Sequence, residues 1–185
     1  MPKRLGVVVA AALLVVTAAA PAYARPAMPD TTDDAFLHEM LTAINTYRSR
    51  HGAPAVTLDP TLTTYAKSRA NVVSTYEALE EGHRGLDRGK GETLYWGGSS
   101  QAERMPAQRA VKAWYDEGKS YDFPNADYDP AASNFTQLVW KGSRRIGAAR
   151  ATGKGSKWYE NYIVVNWQSP GNVLGRFPQN VLPKR

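Results

Sequence analysis

The chain of 185 residues has no cysteine. This absence excludes disulfide bonds, structural metal sites built from thiolates, thiol nucleophiles and haem attached through cysteine. The sequence also lacks a Gly-x-Ser-x-Gly motif, which excludes the serine hydrolases that use that nucleophile turn. With 43% hydrophobic and 22% charged residues, the composition is ordinary for a globular protein. The stability of the fold must therefore come from a buried core and its hydrogen bonds.

Long apolar runs are lacking after residue 24, and the run before it has the pattern of a secretory signal peptide. Lys3 and Arg4 form a basic start, residues 5–20 are apolar and free of acidic groups, and Ala22-Tyr23-Ala24 is a small-x-small cleavage site. The run approaches the lower length limit of a membrane-spanning helix, but its short basic flank and its cleavage site favour a signal. We predict cleavage after Ala24 and a secreted, extracellular chain that is not an integral membrane protein.

Acidic residues are fewer than basic ones, and the net charge of the whole chain is +6. The predicted signal carries two of the cations, so the mature chain keeps a charge of +4. Cations concentrate in residues 141–157, where they form either a solvated hairpin face, the commoner case, or a contact surface for an anionic surface or a protein partner. Export makes nucleic acid an unsuitable partner. The concentrated cations are Lys141, Arg144, Arg145, Arg150, Lys154 and Lys157.

Helical periodicity begins after a short polar segment. Residues 25–32 contain proline and show no apolar pattern, and we predict them to be a flexible leader. From Asp33 onward, apolar residues recur at three- and four-residue steps, which predicts a helix capped by Thr32 or Asp33 and ended by Gly52. Asp59-Pro60 then supplies an N-cap and a first-turn proline for a second helix.

The second half of the chain indicates one further helix and a strand hairpin. The helix is predicted over about residues 107–117, with Glu117 on the flank of its apolar stripe. Residues 145–152 and 158–167 have strand patterns separated by a turn at 153–156, which predicts an antiparallel hairpin. We predict the tail that follows to be an extended loop.

A polar residue stands among large apolar ones in residues 133–141. Asn134 directly precedes Phe135. Burial of the aromatic and aliphatic side chains of this segment directs the Asn134 amide towards the neighbouring segment of the fold. We predict that three earlier polar side chains share its site. They are His83, Glu92 and Glu117.

Five short motifs follow one another along the chain: Asn45-Thr46-Tyr47-Arg48 with His51-Gly52-Ala53-Pro54, then Gly91-Glu92-Thr93-Leu94, Trp114-Tyr115-Asp116-Glu117, Asn134-Phe135-Thr136-Gln137-Leu138-Val139-Trp140 and Pro170-Gly171-Asn172. In this order they resemble the CAP superfamily, which comprises cysteine-rich secretory proteins, antigen 5 and plant pathogenesis-related class 1 proteins. The last four are similar to the family's Gly-Glu-Asn-Leu, Trp-Tyr-x-Glu, His-Phe-Thr-Gln-x-Val-Trp and Pro-x-Gly-Asn. The resemblance covers nearly the whole mature chain and indicates one domain over residues 33–185.

The resemblance implies an α+β fold, a three-layer α-β-α sandwich with a central antiparallel sheet, and a cleft lined by two histidines and two glutamates. On the matching positions, His83 takes the place of the first histidine, and Glu92 and Glu117 take those of the glutamates. Asn134 stands where the family has its second histidine, so the chain departs from the family there. It also lacks the family's usual cysteines, as some bacterial members do.

The cleft residues predict weak metal binding. Two imidazoles and two carboxylates suit zinc, but Asn134 replaces one imidazole with a neutral amide. The remaining ligands, His83, Glu92 and Glu117, prefer harder cations such as magnesium, manganese or calcium. We expect at most a weakly bound divalent cation and no required cofactor. The alternative is that the same side chains form a hydrogen-bond network that braces the cleft.

The sequence favours a binding module over an enzyme. The resemblance implies that the cleft binds a small apolar or anionic ligand such as a sterol, a fatty acid or another lipid. One alternative is a metal-dependent hydrolase of extracellular peptide or wall material, with a carboxylate as base. The other is a secreted effector that a protein partner recognises, which charge reversal at Arg144 and Arg145 tests. The aromatic residues that either wall the cleft or pack in the core are Tyr95, Trp96, Trp114, Tyr115, Tyr121, Phe123 and Trp140.

Overall fold

A four-stranded sheet lies at the centre of the fold, in a computed structural model that describes residues 25–80 and 82–185. The predicted signal peptide lies outside the described residues. The strands are β1 (Thr57–Leu58), β2 (Gly91–Ser99), β3 (Arg145–Lys154) and β4 (Tyr159–Gln168). The helices are α1 (Asp34–Arg50), α2 (Pro60–Val73), α3 (Ala107–Asp116), α4 (Ser133–Val139) and α5 (Phe177–Asn180).

Local capping chemistry fixes where the first two helices begin. The Asp33 carboxylate accepts a hydrogen bond from the backbone N–H of Phe36 at 2.8 Å. The Asp59 carboxylate accepts one from the backbone N–H of Leu62 at 3.0 Å, and Pro60 occupies the first turn of α2. Each cap satisfies an N–H that the helix cannot pair internally. The predicted starts of both helices are confirmed, with Asp33 rather than Thr32 as the cap.

The sheet separates two layers of helix, which confirms the three-layer sandwich. Its strand order is β1-β3-β4-β2, with β2, β3 and β4 antiparallel and the two-residue β1 parallel to β3. Along β4, Ile163 and Val165 face the core formed with α1, α3 and α4, whereas Tyr162 and Val164 face α2. Gly147 of β3 allows α2 to approach closely, because a Cβ there would collide with the α2 backbone.

Strand β2 has no counterpart among the sequence predictions. Its first four residues are all buried, so the strand does not alternate between core and solvent there, and Gly97 and Gly98 interrupt the rest. The strand forms because it pairs with β4 over nine residues, from Gly91 opposite Trp167 to Ser99 opposite Tyr159. The predicted extended tail also differs from the structure, since Phe177 and Val181 are buried around the short helix α5.

The prediction of a flexible leader over residues 25–32 is wrong. Met28 is buried, and the guanidinium of Arg25 donates hydrogen bonds to the Glu160 carboxylate and the Tyr162 hydroxyl. The backbone runs beside β3, where the Thr31 N–H donates to the Arg150 carbonyl at 2.8 Å. Composition alone could not reveal these contacts, because each partner lies more than 100 residues away in sequence.

The predicted basic segment does not form one surface. Arg150 is buried, and its guanidinium donates to the backbone carbonyls of Met105 and Thr31 at 2.9 Å each. Arg145 pairs with Asp59 at 3.1 Å. Because β3 is ten residues long, Arg145 lies about 30 Å from the hairpin turn that follows Lys154. The segment therefore offers two separate basic ends, which weakens the hypothesis of a partner surface along it.

Apolar helices long enough to cross a bilayer are absent from residues 25–80 and 82–185.

Candidate functional site

Glu92 lies at the centre of a buried hydrogen-bond network on β2. Its Oε2 accepts from Arg69 Nε at 2.7 Å and from Asn166 Nδ2 at 3.1 Å. Its Oε1 accepts from Arg69 Nη2 at 3.0 Å and lies 3.0 Å from His83 Nδ1. The guanidinium therefore binds both carboxylate oxygens, and this bidentate pair is the strongest arrangement that such groups form.

The network keeps Glu92 ionised. Burial by itself would raise the pKa of Glu92, but the hydrogen bonds from His83, Arg69 and Asn166 together with the Arg69 charge lower it overall. An ionised carboxylate only accepts hydrogen bonds, so His83 Nδ1 carries the proton. The other ring nitrogen, Nε2, makes no contact with Glu92 and belongs to a side chain that is 54% exposed. His83 thus presents a fixed, oriented imidazole to solvent.

Arg69 also holds the loop that carries His83. Its Nη1 donates to the backbone carbonyl of Arg84 at 2.8 Å, and its Nη2 lies 3.4 Å from the carbonyl of Gly82. Sequence reasoning did not place Arg69 in the site. The sequence contains a signal for this role, because Arg69 recurs with the small apolar residues of α2 at helical spacing. An arginine on such a buried face requires a buried hydrogen-bond acceptor.

Glu117 and Asn134 form a second, separate pair. Glu117 lies in a 3₁₀ turn after α3, and its Oε1 accepts from Asn134 Nδ2 at 2.8 Å. Its Oε2 accepts from the backbone N–H groups of Asn134 and Phe135 at 3.0 and 3.2 Å. Burial raises the pKa of Glu117, and the three hydrogen bonds oppose this increase. Glu117 thus caps the start of α4, which has no side-chain cap of its own.

A cleft of about 310 Å³ opens beside His83. One wall is α4, and the other is the turn at residues 170–172. The two are joined by side-chain amides, since Gln137 accepts from the Gly171 N–H at 2.8 Å and Asn172 donates to the Ser133 carbonyl at 2.9 Å. The described residues that line the cleft are His83, Leu86, Lys90, Gly91, Glu92, Tyr128, Ser133, Gln137, Pro170, Gly171 and Asn172.

The predicted site residues are thus brought together as two pairs. His83 and Glu92 line the cleft, whereas Glu117 and Asn134 are not among the described residues that line it. None of the seven aromatic residues named above is among them either, and Trp114 and Trp140 pack in the core. The aromatic residue at the cleft is Tyr128, which lies between two acidic residues and gives no apolar signal in sequence.

The donor set does not fit a metal ion. Within residues 25–80 and 82–185, no three His, Cys, Asp or Glu side chains are grouped so that they could hold one. The Glu92 oxygens are occupied by Arg69, His83 and Asn166, and the Glu117 oxygens by the start of α4. A cation at either carboxylate would have to displace a guanidinium or backbone donors that already compensate the charge.

The sequence is similar to those of known proteins. Residues 41–167 match CAP, the cysteine-rich secretory protein family. Secreted protein PRY1 of Candida albicans is 33% identical over 162 residues, which cover 87% of this chain and 36% of that protein. Golgi-associated plant pathogenesis-related protein 1 of Homo sapiens is 29% identical over 152 residues, which cover 81% of this chain and 94% of that protein. This chain therefore spans about a third of the longer fungal relative and nearly all of the human one.

The fold also matches solved structures. The crystal structure of NaASP2 with Zn²⁺ superposes with a TM-score of 0.61 at 18% identity, covering 85% of this chain and 91% of the other. At that identity the likeness concerns the fold. The family match, in contrast, covers more than half of the sequence and includes both glutamates and the Asn134 segment. The chain belongs to the CAP family of cysteine-rich secretory proteins.

Proposed function

We propose that this chain is an extracellular binding module whose cleft beside His83 takes a small anionic amphiphile, such as a fatty acid or a lipid headgroup with part of its chain. The observation that carries the proposal is the neutralisation of Glu92 by Arg69 inside the protein. Because that negative charge is compensated internally, the charge that the cleft lining offers to a ligand is the Lys90 ammonium, and the imidazole of His83 lines the same cleft.

The rim of the cleft supports the apolar part of such a ligand. Leu86, Tyr128 and Pro170 line it, and the loop after Asn172 presents Val173 and Leu174, which are 46% and 74% exposed. A volume of about 310 Å³ lies at the lower end of small-molecule sites, so it suits a headgroup or a short chain rather than a whole two-chain lipid. Relatives with "secreted" in their names support an extracellular setting.

The test is a calorimetric titration with two ligands that share a ten-carbon chain, anionic decanoate and zwitterionic decyl phosphocholine, both below micelle formation. We expect decanoate to bind more tightly, because the Lys90 ammonium lies at the cleft and its ion-pair partner, Asp87, is exposed to solvent. Lys90→Gln is expected to weaken decanoate binding by about fivefold, roughly 1 kcal/mol, and His83→Ala by a similar factor. Lys157→Gln, an equal change of charge at the far hairpin turn, is the matched control.

Two outcomes would contradict the proposal. One is the absence of saturable binding of either ligand. The other is equal affinity of wild type, Lys90→Gln and His83→Ala for decanoate, since that would place the ligand outside the cleft. Leu174→Ser tests the contact with the apolar part of the ligand. Because the two amphiphiles share that part, the variant is expected to weaken the binding of both alike.

A metal-dependent hydrolase is the competing hypothesis, and the Zn²⁺ named with the NaASP2 structure is the reason to test it. In this chain both carboxylates are already compensated, so we expect calorimetry to detect no site for zinc, magnesium or calcium tighter than on the order of 1 mM. A tight site that His83→Ala abolishes would reverse the order of the two hypotheses, and peptide and wall substrates would then be assayed first.

A further inference from the structure

A second pocket, separate from the cleft, lies where the ends of α1 and α3 meet α4. Its volume is about 210 Å³, and aromatic rings from four different segments form its walls. The rings belong to His51, Tyr115, Phe123 and Phe135. An apolar cavity of about 150 Å³ is enough to hold a benzene molecule, so this pocket accommodates one ring with a short substituent.

Two of these rings lie nearly parallel, and a third stands roughly perpendicular to both. His51 and Phe123 are nearly parallel, with 18° between their planes and 6.1 Å between their centroids. The ring of Phe135 stands at 72° to His51 and at 88° to Phe123. Aromatic rings attract one another in such edge-to-face and offset arrangements at centroid distances of about 4.5–7 Å. The solvent-facing side of this pocket therefore favours another flat ring over an aliphatic chain.

The polar atoms inside the pocket are already satisfied. His51 Nδ1 donates to the Leu182 carbonyl at 2.6 Å, so Nε2 is the acceptor for the Tyr115 hydroxyl at 3.1 Å. Burial lowers the pKa of His51, which keeps the imidazole neutral at pH 7. The interior thus offers no donor or acceptor that would require a sugar or an amide, and polar selectivity must come from the mouth.

Positive charge predominates at the mouth. Lys119 and Lys184 flank it together with Asp116, and the Asp116 carboxylate pairs with Lys119 at 3.2 Å and with Lys112. Among the residues that the structure describes, the Lys184 ammonium has no ion-pair partner. Arg50, which lines a different pocket, lies 5.8 Å from the centroid of the Tyr115 ring. An anionic group at the mouth is therefore attracted by charge that the protein leaves uncompensated.

We propose that this pocket binds a small aromatic carboxylate, with its ring against Phe135 and its carboxylate beside Lys184. The site shares no lining residue with the cleft beside His83 and does not rest on the function proposed for that cleft. The chemistry that defines the ligand is one flat ring joined to one carboxylate by a short link.

The test uses the protein purified after export and follows its side-chain and backbone NMR signals during titration with phenylacetate. Benzyl alcohol supplies the ring without the charge, and acetate the charge without the ring. We expect phenylacetate to shift the signals of Tyr115, Phe123 and Lys184 saturably, with those of His83 unchanged. Acetate is expected to produce no saturable shift, and benzyl alcohol to bind about fivefold more weakly than phenylacetate.

Charge reversal at the mouth makes the test decisive. Lys184→Glu changes an exposed side chain and is expected to weaken phenylacetate by about fivefold or more, without affecting benzyl alcohol. Lys157→Glu alters the net charge equally at the far hairpin turn and is expected to leave both ligands unaffected. The proposal is overturned if phenylacetate produces no saturable shift at about 10 mM, an affinity too weak to be specific. Shifts that map to the cleft beside His83, or equal affinities of the two variants for phenylacetate, overturn it as well.

Discussion

Replacing Arg48 with methionine is expected to lower the free energy of unfolding by about 3–5 kcal/mol. Arg48 on α1 is 0% exposed, and the described residues provide no carboxylate for it. Burial, together with the nearby Arg144, lowers the pKa of Arg48 to about 10, so the guanidinium is still charged at neutral pH. Its four hydrogen bonds, at 2.8–3.0 Å, all go to backbone carbonyls. These belong to Pro54, Leu138, Trp140 and Ser143.

The loss would be large because methionine fills part of the volume but leaves those carbonyls buried without donors. Three of the four lie at the end of α4 and in the connection to β3, so α4 would lose its attachment to α1. Since α4 forms one wall of the cleft, ligand binding should weaken along with stability.

Urea denaturation followed by circular dichroism gives the measurement for Arg48→Met. Arg50→Met is the matched control: Arg50 is exposed at the end of the same helix and lies over the ring of Tyr47. We expect the control to cost less than about 1 kcal/mol. If the two variants unfold within 1 kcal/mol of each other, roughly the scatter of surface substitutions, the structural role assigned to Arg48 is wrong.

The second large effect is expected for Arg69→Met, again about 3–5 kcal/mol, because removing one partner of a buried ion pair leaves the other uncompensated. Glu92 would lose the bidentate contact at 2.7 and 3.0 Å, and the loop around His83 would lose the donor to the Arg84 carbonyl. The imidazole of His83 would then be less well oriented. Arg88→Met, a change at an exposed arginine of the neighbouring loop, is the control.

The pH dependence of stability should change sign in this variant. In the wild type the pKa of Glu92 is lowered on folding, so its stabilising contribution is present above the ordinary glutamate pKa and is lost as the pH falls through the folded value. Without Arg69, burial dominates and raises the pKa above the ordinary value. The contribution is then complete below the ordinary pKa and is lost as the pH rises through the raised folded value.

Denaturation of both proteins between about pH 3 and pH 8, the range in which buried carboxylates titrate, measures this difference. The double variant Arg69→Met with Glu92→Met provides a further check, since an apolar pair of similar volume should recover most of the lost stability. If Arg69→Met and the double variant are equally unstable, the loss reflects poor packing rather than an uncompensated charge.

Local sequence determined the starts of the helices and the hairpin. Asp33 and Asp59 cap α1 and α2 because an N-cap requires only a short side chain and an N–H three residues later. The order of short motifs further indicated the family and, through it, the layered fold. These features depend on residues that are neighbours in sequence or on motifs that are contiguous.

Tertiary structure alone decided what the site residues do. The pairing of Glu92 with Arg69 joins a strand to a helix, and the capping of α4 by Glu117 joins two segments 17 residues apart. Strand β2 and the packed segment 25–32 likewise exist because β4 and β3 lie beside them. Sequence shows which side chains can carry a charge or accept a hydrogen bond. Which charge is compensated, and by which partner, follows only when the fold removes both from water, because the free energy of a buried ion depends on its immediate neighbours.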